Sequence, residues 1–221
     1  MIATPKELEP PSMSLADRAH AAIQDQLIML EIPPMAPIDD GILSEELGIG
    51  RTPVREALKR LQTERLVVSY PRRGTFATGV DITDLAFISE IRMQLEPLAA
   101  KRAAQVAIRG TKAELAELAD LIESLDIASL GRSDLMRWDM RVHRSIYRAA
   151  ANPHLEDTLV RYNNLATRLF CLFIDRISHF DRHIGEHVAL LRGISEGEAD
   201  TVSALAHEHV IGFEKAIRAV T

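Results

Sequence analysis

Residues 51–77, RTPVREALKRLQTERLVVSYPRRGTFA, decide the first part of the fold. The stretch opens with a helical pattern, in which Thr52 is a suitable N-cap and Pro53 a suitable first helical residue. Two short β-prone pieces, LVVSY and TFATGV, follow and are joined by PRRG. The stretch therefore predicts a helix and then a small hairpin with basic residues at its tip.

Two further helices are predicted upstream. Residues 14–31 carry apolar side chains at helical spacing behind a plausible N-cap, Ser14, and the prolines of IPPMAPIDD end that helix. A short helix over residues 42–48 leads into the tight turn GIGRT. The order of helix, helix, turn, helix and basic hairpin is that of a winged helix-turn-helix, which we predict for residues 14–80. Residues 1–13 are polar, lack the apolar core of a signal peptide and are expected to form a flexible lead.

The charge of the chain is concentrated in one place. Residues 51–73 contain seven basic and two acidic residues, a net of +5, so the rest carries −11 of the total of −6. Such a local basic patch is suited to phosphates, although these side chains could also form only a solvated face. A recognition helix inserts its N-terminal residues into the major groove, and a basic wing reaches phosphates or the minor groove. The predicted DNA-binding residues are Arg51, Thr52, Arg55, Lys59, Arg72, Arg73 and Gly74.

The overall composition fits a helical protein of the cytoplasm. Hydrophobic residues make up 47% and charged residues 26%, and no run of 18 apolar residues could span a membrane. Aromatic residues are only 5%, whereas Ala and Leu are abundant, which favours helices. The single cysteine, Cys171, excludes an intrachain disulfide and a cysteine-based metal cluster.

The remaining residues, 81–221, are predicted to be helical throughout. Helices are expected over about 83–108, up to about 129, and over 133–151, 153–177, 181–195 and 198–219. Short connections between such helices indicate an antiparallel bundle. The predicted fold class is therefore mostly α, with an N-terminal winged helix-turn-helix and a C-terminal all-helical bundle.

Several ionisable residues fall inside the apolar stripes of these helices. At 100° per residue, Arg92 and Glu96 lie in the first stripe, and Asp139 and His143 in the third. His187 lies ten residues before Gly197 and His209 twelve after it, so the two are nearly level on neighbouring helices.

Buried charges need partners, and three imidazoles with one carboxylate suit a divalent metal ion. The predicted ligands are Asp139, His143, His187 and His209. His183, further from its stripe, is the rival ligand. Taken alone, each histidine or Asp–His pair also fits an ordinary core hydrogen bond.

The motif RTPVREALKRL, followed by LVVSYPRRGTFA, resembles the DNA-binding domain of GntR-type bacterial transcription regulators over about residues 15–80. Three positions depart from the usual pattern. Gly50 stands where Ser or Thr is frequent, Gly41 where a charged residue is frequent, and Arg65 where Gly is common. The departures concern operator choice rather than the domain itself.

The second part resembles the FCD effector-binding domain of the FadR-like branch of these regulators, over about residues 85–215. The resemblance lies in Asp139-x3-His143, His187 and His209, together with IRMQLEPLAA (91–100) and AANPHL (150–155). It implies an all-helical sensor, a homodimer, and a small carboxylate effector that contacts the metal. An arginine at the Arg92 position would help to hold that effector, whereas an ion pair with Glu96 is the alternative. Zn²⁺ is the first choice of metal, with Ni²⁺ or Mn²⁺ also compatible.

The leading hypothesis is a ligand-responsive, cytoplasmic regulator rather than an enzyme. A homodimer would present two recognition helices to an inverted repeat in double-stranded operator DNA. One alternative is a metalloenzyme with an attached winged-helix head, for which Glu96 is the only candidate general base. Another is a regulator whose metal is purely structural.

Overall fold

The structure of the protein, a computed structural model, describes residues 13–177 and 180–221. Residues 1–12, nearly all of the expected N-terminal lead, lie outside the described residues. The chain divides into two compact units. Of the described residues, the first contains 13–27 and 31–78, and the second contains 28–30, 79–177 and 180–221.

The first unit has the predicted winged helix-turn-helix order. Its strands form one antiparallel sheet in the order β1-β3-β2. The helices are α1 (Leu15–Ile28), α2 (Asp40–Leu47) and α3 (Arg51–Thr63), and the strands are β1 (Pro37–Ile38), β2 (Val67–Tyr70) and β3 (Gly74–Ala77).

Local hydrogen bonds explain where these helices begin. The Ser14 hydroxyl accepts a bond from the Asp17 N–H at 3.1 Å, so Ser14 caps α1 as predicted. Asp39 caps α2 through the N–H groups of Gly41 and Ile42. The prediction that Thr52 caps α3 and Pro53 begins it is wrong: that helix begins two residues earlier, at Arg51, and Gly50 in the N-cap position offers no side-chain bond.

The small sheet contains the predicted hairpin and one strand that was not predicted. In the hairpin, Tyr70 pairs with Gly74 and Val67 with Ala77. The additional strand, β1, pairs with the outer edge of β3. It has only two residues and includes Pro37, too short for an alternating pattern to reveal it.

The second unit is a helical bundle, as predicted. Helix α4 packs most extensively against α9 and also contacts α6, α7 and α8, while α5 packs on α8 and α6 on α7. The helices are α4 (Asp84–Val106), α5 (Arg109–Ser124), α6 (Arg132–Ala149), α7 (Pro153–Phe173), α8 (Phe180–Glu196) and α9 (Ala199–Arg218), with a short 3-10 helix at Ile127–Ser129.

The interior of the bundle is not purely apolar. Among the described residues, every buried polar or charged side chain belongs to the second unit. They are Ser89, Arg92, Glu96, Asp139, His143, Asn163, Asn164, Thr167, Arg168, His187 and His209. No helix within the described ranges is both long and apolar enough to cross a membrane.

Candidate metal centre and nucleic-acid interface

The predicted DNA-binding residues lie at two places in the first unit and are all exposed. We call this set the recognition surface: Arg51, Thr52, Arg55 and Lys59 on α3, and Arg72, Arg73 and Gly74 at the tip of the hairpin. Arg72 and Gly74 have positive φ angles of 62° and 99°, which turn the chain sharply between β2 and β3. A groove of about 410 Å³ is bordered by residues of α2, α3 and the hairpin, among them Lys59 and Gly74.

One carboxylate orders the start of the recognition helix. Asp40, on α2, accepts a hydrogen bond from the Arg55 Nε and lies 3.9 Å from the Arg51 Nε. Both arginine side chains nevertheless remain 63% exposed. Most of their N–H groups therefore face solvent and can reach an external phosphate or base edge.

Gly41, one of the departures from the usual sequence pattern, has a steric role. A Cβ atom built on Gly41 would collide with the guanidinium group of Arg51 and lie 3.0 Å from Oδ1 of Asp39. The absence of a side chain at position 41 thus gives Arg51 room to lie over the first turn of α2.

In the second unit, three helices bring five ionisable side chains together. We call these residues the buried cluster: Asp139 and His143 from α6, His183 and His187 from α8, and His209 from α9. Oδ1 of Asp139 lies 3.4 Å from Nε2 of both His183 and His187, and 3.7 Å from Nε2 of His143. The His209 ring lies 4.1 Å from that of His183 and 4.6 Å from that of His187, centroid to centroid.

The spacing of the donor atoms fits a metal ion. Potential ligand atoms of Asp139, His183, His187 and His209 all lie within 4.8 Å of one another. Donors about 2.0–2.2 Å from one ion lie at most about 4.4 Å apart, so small side-chain movements suffice. His143 is outside this group of four, although its ring lies 5.1 Å from that of His187.

Several buried polar atoms of the cluster make no hydrogen bond. Buried polar atoms in proteins nearly always have partners. Here Oδ1 of Asp139, Nε2 of His143, Nε2 of His209 and both ring nitrogens of His187 are buried without a hydrogen bond. A cation among these atoms would satisfy a carboxylate oxygen and imidazole lone pairs together, so the residues fit a divalent metal.

Two of these imidazoles have a carboxylate close to Nδ1. Nδ1 of His143 lies 3.1 Å from the Tyr147 hydroxyl and 3.4 Å from Oε2 of Glu96. Nδ1 of His209 lies 3.0 Å from Oε2 of Glu186. If each Nδ1 carries the proton, each Nε2 presents a lone pair to the cluster, which is the arrangement of a metal-binding histidine.

The electrostatics of the cluster favour the protonation states that bind metal. Burial lowers the pKa of His187 and His209 well below the ordinary value. Burial also lowers the pKa of His143, although the nearby Glu96 carboxylate raises it in part. Burial raises the pKa of Asp139, but nearby His143 and the other imidazoles more than offset this and hold it below its usual range. Neutral imidazoles beside an ionised carboxylate are the ligand forms.

Arg92 and Glu96 form the ion pair that was the alternative to effector binding. Nε of Arg92 donates to Oε1 of Glu96 at 2.6 Å, and the Tyr147 hydroxyl donates to the same oxygen at 3.0 Å. Burial lowers the pKa of Arg92, yet Glu96 beside it raises that pKa above the usual value. Nη1 of Arg92 is nevertheless buried without a hydrogen bond, and the guanidinium lies 4.8 Å from the centre of the Phe213 ring.

The sequence reasoning did not single out Tyr147. It is almost fully buried and links Glu96 to His143. The sequence does indicate its position, because Tyr147 follows His143 by four residues and therefore shares its helix face.

Comparison with known families agrees with both units. Residues 15–77 match the family described as bacterial regulatory proteins, gntR family. Residues 88–212, more than half of the chain, match the FCD domain family.

Two relatives illustrate the similarity. An uncharacterized HTH-type transcriptional regulator from the TAR-I ttuE-ttuC' intergenic region of Agrobacterium vitis is 33% identical over 151 residues, which cover 66% of this chain and 88% of the relative. The Nta operon transcriptional regulator of Aminobacter aminovorans is 28% identical over 183 residues, covering 80% and 82% of the two chains.

Solved structures share the fold. McbR/YncC of E. coli aligns with a TM-score of 0.78 at 21% identity, covering 94% of this chain and 99% of that one. A GntR protein from Rhodococcus sp. RHA1 aligns with a TM-score of 0.71 at 18% identity, covering 95% and 100%. The chain belongs to the GntR family of bacterial transcription regulators, DNA-binding proteins rather than enzymes, and carries an FCD domain behind its helix-turn-helix.

Proposed function

We propose that the chain is a homodimeric regulator whose helical unit binds a divalent metal ion and a small carboxylate effector. The observation that carries this proposal is the set of buried ring nitrogens without partners around Oδ1 of Asp139. Leaving such atoms unsatisfied is costly, and an ion would remove the cost for Oδ1 and for one ring nitrogen of each imidazole. The proposed ligands are Asp139, His143, His187 and His209, with Zn²⁺ as the first choice and Ni²⁺ or Mn²⁺ as alternatives.

Arg92 is the proposed contact for the effector. Its Nη1 has no partner, so a carboxylate could accept a hydrogen bond there while Nε stays on Glu96. Once bound, the ion would supply a positive centre for a second oxygen of the same effector. Glu96 bonds both Arg92 and Tyr147, which suits a positioning role better than that of a free general base.

The recognition surface is the proposed DNA interface. Arg51, Arg55 and Lys59 would meet the major groove, and Arg72 and Arg73 the phosphates beside it. Two copies related by a two-fold axis would read half-sites of an inverted repeat. An effector that binds one arrangement of the helices more tightly would shift the DNA-binding equilibrium of the dimer, in the bacterial cytoplasm where the operator lies.

The proposal is tested with the purified full-length chain and a DNA fragment from its own promoter. We expect retardation of the fragment that weakens steeply with salt, because phosphate contacts release counterions. We also expect at least one small carboxylate to raise the melting temperature of the metal-loaded protein but not of the chelated protein. A fragment that shows no salt-dependent shift contradicts the DNA-binding part. Unfolding on chelation, with no response to any carboxylate, contradicts the effector part and favours a purely structural metal.

A further inference from the structure

His183 occupies a place in the buried cluster that the predicted ligand set leaves out. Its Nε2 lies 3.4 Å from Oδ1 of Asp139, the same distance as Nε2 of His187. Its ring is stacked on that of His209, with an interplanar angle of 17°. It also belongs to the four residues whose ligand atoms lie mutually within 4.8 Å, whereas His143 does not.

The helix explains this position. His183 precedes His187 by four residues on α8, so both side chains lie on the face that approaches α6 and Asp139. Phe170 lies 6.1 Å from the His183 ring, nearly parallel to it, on the side of α7. The imidazole is thus held between an aromatic ring and the donors of the cluster rather than extended into solvent.

We propose that His183 is a further ligand of the metal ion, so that one carboxylate and four imidazoles surround it. This inference rests on the proposed metal site. Five protein donors exceed the four of a tetrahedral zinc site and suit an ion that accepts five or six ligands, such as Ni²⁺ or Co²⁺. An octahedral ion would then keep a single position for an effector oxygen.

His183 lies on the open side of the site. Its side chain is 13% exposed, whereas those of Asp139, His187 and His209 are at most 6% exposed. Removal of the His183 ring therefore leaves a space that a small molecule from solvent can enter. Free imidazole has the size and the donor atom to replace the missing ligand in that space.

The experiment titrates Co²⁺ alone into the chelated full-length protein and records its visible absorption and its affinity. For His183→Ala, we expect affinity to fall at least about tenfold and the spectrum to change with the loss of a ligand. Free imidazole should restore the wild-type spectrum. His207→Ala is the matched control, because His207 is a 45% exposed histidine on α9, and it should behave as wild type.

The possible results distinguish the role of His183 from the existence of the metal site. A His183→Ala protein with wild-type affinity and spectrum overturns the inference alone, provided that His187→Ala loses cobalt. A wild-type protein that binds no cobalt overturns the metal site itself. Circular dichroism of His183→Ala should match wild type, and rescue by imidazole distinguishes a lost ligand from a damaged fold.

Discussion

The two units treat their polar side chains in opposite ways. In the first, the cations of the recognition surface are exposed, and Asp40 pairs with two of them without removing them from water. In the second, the residues of the buried cluster are nearly sealed from solvent, and several of their atoms make no hydrogen bond. An exposed charge costs little when unpaired, but a buried one costs much. Unsatisfied buried atoms are therefore the stronger indication of a missing ligand. Without effector, mutation of one site should leave the other site unchanged.

The largest expected effect concerns Arg55, in the recognition surface. Arg55→Ala should weaken binding to the promoter fragment by about 1–3 kcal/mol, because an arginine contact to a base or phosphate is lost. Metal content should not change. Arg109→Ala, which removes an exposed arginine of α5, is the control and should leave DNA affinity as it is. Loss of metal from Arg55→Ala, measured by elemental analysis, would show that the two sites are not independent.

Tyr147→Phe removes one oxygen atom beside the buried cluster. Without its hydroxyl, Nδ1 of His143 loses its hydrogen-bond partner and keeps only Oε2 of Glu96, at 3.4 Å, to orient the ring. Metal affinity should fall about 10–100-fold, as for other residues that orient a metal ligand, while DNA affinity is retained. Competition with a chromophoric chelator measures the first quantity and fluorescence anisotropy the second. Tyr162→Phe, on α7, is the control. Unchanged metal affinity would show that Tyr147 does not orient His143.

The sequence predicted more of the first unit than of the second. The first unit is encoded by contiguous signals, such as Pro53, the PRRG turn and the basic run, so its element order and exposed residues followed directly. Among the described elements of this unit, β1 alone was not predicted, because two residues carry no periodicity. In the second unit the helices followed from periodicity, but the distances across helices did not. His183 ranked below His187 on an ideal helical wheel, yet the packing of α8 against α6 brings it to 3.4 Å from Asp139.

Glu64 differs from the exposed charges of the recognition surface, because it is a partly buried carboxylate in the first unit. It accepts hydrogen bonds from His20 and Gln24, both at 2.7 Å. Burial raises its pKa, but the bond and charge of His20 more than offset this and lower the pKa below the usual value. Glu64 therefore stabilises the fold above the pKa of an unfolded glutamate, about 4.3, and this contribution is lost as pH falls through the lower folded pKa.

Glu64→Gln should accordingly lower the free energy of unfolding at pH 7 by up to about 1 kcal/mol. The difference from wild type should shrink as pH falls below about 4.3. Amide hydrogen exchange of α1 and α3, corrected for the intrinsic effect of pH, measures both values. Glu56→Gln, at an exposed position of α3, should show no such pH dependence. A constant difference across this range would contradict the assigned cause.

The smallest effect is expected at Arg65, where a non-glycine residue has a φ angle of 64°. A side chain in this left-handed region costs about 1–2 kcal/mol, part of which glycine gives back through the entropy of the unfolded chain. Arg65→Gly should raise the stability of the first unit by up to about 1 kcal/mol, measured by the same exchange experiment. Arg73→Gly, at a neighbouring arginine without a positive φ angle, should not stabilise. Equal effects of the two substitutions would rule out relief of backbone strain.

The metal content of wild type and Asp139→Ala is the most direct test of the claim that the buried cluster holds an ion. The nearest ring nitrogens of His143, His183 and His187 lie 3.4–3.7 Å from Oδ1 of Asp139, so this carboxylate is the common contact of the site. Both proteins should be grown with zinc, nickel and manganese and analysed for metals after purification. We expect about one divalent ion per wild-type chain and a tenth of that or less in Asp139→Ala. Wild-type protein without metal, or equal metal in both proteins, would contradict it.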